Sequence, residues 1–72
     1  MNKEKYEKLS KSKTLNKAER WVSAEVAKVL GETVELVDAI RSYLNNSSMY
    51  MEQGDFEQAL RCRTVANILS KL

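Results

Sequence analysis

The sequence predicts an all-α fold, and three observations carry that expectation. The chain has no proline and only two glycines in 72 residues, so few positions force the backbone to turn. Leucine, alanine, glutamate, lysine and arginine are abundant, and the β-branched residues never alternate cleanly with polar ones. Apolar residues instead recur at intervals of three and four, the spacing of one helix face. Together they predict a three-helix, up-down-up bundle ending in an antiparallel helical hairpin. Its helices cover residues 16–30, 33–53 and 55–70 of a single domain over 16–72, preceded by a charged arm over 1–15.

The arm sets Tyr6, Leu9 and Leu15 among lysines and reads as a frayed or conditional helix. Seven basic and three acidic residues give the first 20 positions a net charge of +4, while the remainder carries −2. Such asymmetry can direct a segment toward nucleic acid, an anionic surface or an acidic protein. The candidate anion-binding residues are Lys5, Lys8, Lys11, Lys13, Lys17 and Arg20. Glutamates interrupt them, Tyr6 is the arm's only aromatic, and no recognition-helix or base-stacking pattern is present, so a solvated face is the simpler expectation.

Asn16 can cap the first helix, with Glu19 in the capping-box position and Gly31 where a C-terminal glycine belongs. Val22, Val26, Val29 and Leu30 form its apolar stripe, and Trp21 lies beside that stripe, suited to cover it or to meet a partner. In the second helix the stripe is Leu36, Val37, Ile40, Tyr43, Leu44, Ser47 and Met51. The same phase runs back through Gly31, so a single bent helix over residues 16–53 competes with two helices, at a glycine cost of about 1 kcal/mol. A break at Asn45, Asn46, Ser47 and Ser48 is another alternative, because asparagine and serine side chains compete for backbone hydrogen bonds.

The hairpin turn is Gly54, Asp55 and Phe56. Gly54 can take a left-handed conformation without a Cβ clash, Asp55 can cap the next helix, and Phe56 is placed to seal the turn. Ala59, Cys62, Val65, Ala66, Leu69 and Leu72 make the third helix's inner stripe. A second line, Leu60, Thr64 and Ile68, repeats every four residues on a neighbouring face that a lone hairpin leaves in water. Trp21, Leu60, Thr64 and Ile68 are therefore the candidate interface.

Two resemblances follow from these residues. Residues 50–66 resemble a single tetratricopeptide-like helical hairpin, with an aromatic before the turn, then Gly54, Asp55, Phe56, Ala59 and Ala66; Arg63 stands where that repeat usually has an aromatic, and no second copy follows. Residues 41–72 resemble the C-terminal half of a family of small archaeal helical proteins of unknown function, through Tyr43, Tyr50, Gly54, Asp55, Phe56, Ala59, Ala66 and Leu69. The glycine and aspartate near the end of that family have no counterpart here.

Catalysis is not expected. There is no histidine, no glycine-rich phosphate loop and no pair of carboxylates in an apolar setting. No metal, cofactor or small-molecule substrate is inferred; Glu32, Glu35 and Asp38 share a helix face but read as a solvated acidic patch. The lone Cys62 excludes an intrachain disulfide and reads as a small buried hydrophobe, which suits a cytoplasmic setting. No apolar run is long enough for a membrane span or a signal peptide. The expected function is a small non-enzymatic protein-interaction or oligomerisation module, a homodimer or a partner-bound chain. The alternative is an accessory nucleic-acid binder acting through the lysine-rich arm.

Overall fold

The computed structural model describes residues 3–32 and 35–72, and all regular structure among them is helical. Four helices occur there: α1 (Lys3–Ser10), α2 (Lys17–Gly31), α3 (Leu36–Glu52) and α4 (Phe56–Ser70). The count of three is thus corrected, because part of the arm is itself a helix packed on α2. The chain divides into two compact units, Met1–Thr33 and Val34–Leu72.

In the first unit α1 and α2 form a hairpin. Lys3, at the start of α1, lies against Gly31, at the end of α2: a β-carbon built on Gly31 would stand 3.1 Å from Lys3 Cε. The two helices therefore run antiparallel, and the ammonium of Lys3 sits near the negative end of the α2 dipole. Tyr6, Leu9 and Ser10 are the half-buried residues of α1, whose lysines stay exposed. The conditional helix expected in the arm is formed over Lys3–Ser10, and its packing on α2 supplies the tertiary contacts that eight residues alone lack.

The start of α2 is fixed by a reciprocal pair. The backbone N–H of Glu19 donates to Asn16 Oδ1 at 2.8 Å, and the N–H of Asn16 donates to Glu19 Oε1 at 3.0 Å. Val22, Val26, Ala27 and Val29 are buried, and Leu30 is half-buried. The hydroxyl of buried Ser23 donates to the carbonyl of Glu19, so its burial leaves no polar group unmet. Gly31 departs from expectation: it is the last helical residue, without a positive φ, and the extended Glu32 is the cap.

The second unit is the α3–α4 hairpin. An extended Glu32 and an extended Glu35 separate α2 from α3, so the single bent helix is not formed. The expected start of α3 at Thr33 lies outside the described residues. The helix continues without a break through Asn45, Asn46, Ser47 and Ser48.

Three residues, Gln53, Gly54 and Asp55, connect α3 to α4. The N–H of Asp55 reaches back to the carbonyl of Tyr50 at 2.9 Å and that of Gly54 to Met51 at 3.1 Å, the two bonds of a Schellman end. This geometry needs a left-handed residue, and Gly54 supplies it at φ 80°. Asp55 also opens α4, its carboxylate accepting from the N–H of Gln58 at 3.2 Å. One residue thus closes one helix and caps the next, which keeps the connection short and the helices adjacent.

Small residues let α3 and α4 approach closely. Ala59, Cys62, Val65, Ala66 and Leu69 are buried along α4, facing Ala39 and Ser47 among the buried residues of the unit. Leu72, expected in the same stripe, lies beyond the helix end and is 45% exposed. Phe56 does not seal the turn. It shares an outer row with Leu60, four residues on, and is 64% exposed.

Candidate interaction surface

Exposure of large apolar side chains is uneven along the chain. Among the described residues those most open to solvent are Val37, Leu44, Met49, Met51, Phe56, Leu60 and Leu72, all in the second unit. Single exposed apolar residues are ordinary; seven within one unit are a notable concentration.

On α4 the outer row begins with Phe56 and Leu60, the latter 66% exposed, and continues to the half-buried Thr64. The Thr64 hydroxyl donates to the carbonyl of Leu60 at 2.8 Å, so it needs no outside partner. Ile68 is half-buried. Charged residues flank this row: Arg61 and Glu57 form an ion pair at 2.6 Å on one side, and Arg63 is exposed on the other. Of the four candidate interface residues, α4 therefore brings together Leu60, Thr64 and Ile68. Trp21 is half-buried on α2, in the other unit.

On α3 a row emerges that the sequence reading assigned to the inner stripe. Val37, Leu44 and Met51 follow one another at intervals of seven, and their exposures are 62%, 43% and 51%. Intervals of seven keep side chains on one line, with a drift of about 20° per repeat on a straight helix. The signal was present in the sequence as a heptad. What the sequence could not show is that Ser47, on the neighbouring row, rather than Leu44, faces α4.

The basic candidates all fall in the first unit: Lys5 and Lys8 on α1, Lys11 and Lys13 in the turn, Lys17 and Arg20 at the start of α2. The five lysines are exposed and Arg20 is half-buried. Acidic side chains sit among them. Two shallow depressions on this unit are lined by Glu4, Lys5, Lys8, Leu9 and Ser12, and by Glu4, Glu7, Lys8 and Lys11. Lys3 pairs with Glu7 at 3.5 Å, and the Lys5 ammonium lies 5.6 Å from the centre of the Tyr6 ring. The surface is mixed in charge, which weakens its field at a phosphate backbone.

Cys62 is buried, at 3% exposure. Among the described residues no group of three or more cysteine, aspartate or glutamate side chains is placed to hold a metal ion, and no helix is long and apolar enough to cross a membrane. Compared with known proteins, the chain matches no family model, no curated protein and no solved structure.

Proposed function

We propose that this chain is a non-enzymatic helix-association module, most simply a cytoplasmic homodimer, whose second unit supplies the contact surface. The observation that supports this reading is the concentration of exposed apolar side chains on α3 and α4, with Leu60 as its most open member. Size points the same way: a chain of 72 residues is near the lower size at which a single core holds without a disulfide or a metal, and many such chains complete their core by association. Without histidine, the chain also lacks the side chain most often used for proton transfer near neutral pH.

The test is sedimentation equilibrium of the whole chain at micromolar concentration, at low and high salt, with and without an oligonucleotide. A dimer held by apolar burial persists or tightens as salt rises. A monomer throughout would overturn the reading, and the three-helix up-down-up packing expected for residues 16–72 would then be the way the chain covers its own surface. Binding to the oligonucleotide that falls steeply with salt would instead support the lysine-rich arm as the working surface.

A further inference from the structure

We draw no further inference here: the strongest candidate, the exposed apolar patch of Val37, Leu44 and Met51 on α3, is an unpartnered helix face, and nothing in the structure shows what covers it.

Discussion

The hydroxyl of Ser47 on α3 donates to the main-chain carbonyl of Ala59 on α4 at 2.8 Å, and both residues are buried. The bond reaches only a serine's length from one helix to the backbone of the next. It therefore marks a close approach of α3 to α4, and the small Ala59, with no exposed surface, leaves the room for it. Ser47→Ala should cost about 1 kcal/mol through the lost hydrogen bond. Ser47→Val should cost more, roughly 1–3 kcal/mol, because the added bulk forces the helices apart. Urea unfolding of the three proteins checks the order, and a Ser47→Val protein as stable as the parent would contradict the close approach.

The two glycines should respond in opposite directions. No atom lies within 4 Å of a β-carbon built on Gly54, so Gly54→Ala meets no steric neighbour. Its φ of 80° is nonetheless unfavourable for an L-residue, at roughly 1–2 kcal/mol. Gly54→Asn should recover part of that loss. Gly31 ends α2 without a positive φ, and its crowding comes from the flexible tip of Lys3. Gly31→Ala should leave stability unchanged or raise it by up to about 1 kcal/mol. Thermal melts of the three variants decide the matter.

Asn16→Ala removes the side-chain acceptor from the N–H of Glu19, while the backbone N–H that donates to Glu19 Oε1 remains. The expected loss is about 1 kcal/mol, read as a lower midpoint in denaturant. Asn16→Asp should retain most of the stability, because an aspartate accepts the same bond and adds negative charge at the positive end of the helix.

Leu60 separates folding from association. It is 66% exposed, so Leu60→Lys should change the stability of the folded chain by no more than about 0.5 kcal/mol. On the association reading the same change should weaken dimerisation at least about tenfold, because Leu60 is the most open member of the exposed apolar surface. Unchanged association, measured by analytical ultracentrifugation, would remove the outer row of α4 from the contact.

What the sequence disclosed and what it withheld follow from range. Asn16 with Glu19, and Gly54 with Asp55, act within a few residues of themselves, so their chemistry can be read from spacing. The valines of α2 and the alanines of α4 announce a buried stripe because each repeats at helical intervals. The rows on α3 were harder. Val37, Leu44 and Met51 stand beside Ile40 and Ser47 in the same three-and-four pattern, and only the bond from Ser47 to Ala59 shows which row turns inward. The arm reads as a conditional helix from its sequence, but that α2 is what holds Lys3–Ser10 helical was not legible, since that contact is not local.

Joining each helix to its immediate neighbour along the chain has a kinetic consequence. Neither pair waits for a distant segment, so closing it requires ordering only a short loop, and topologies of this kind assemble in microseconds to milliseconds.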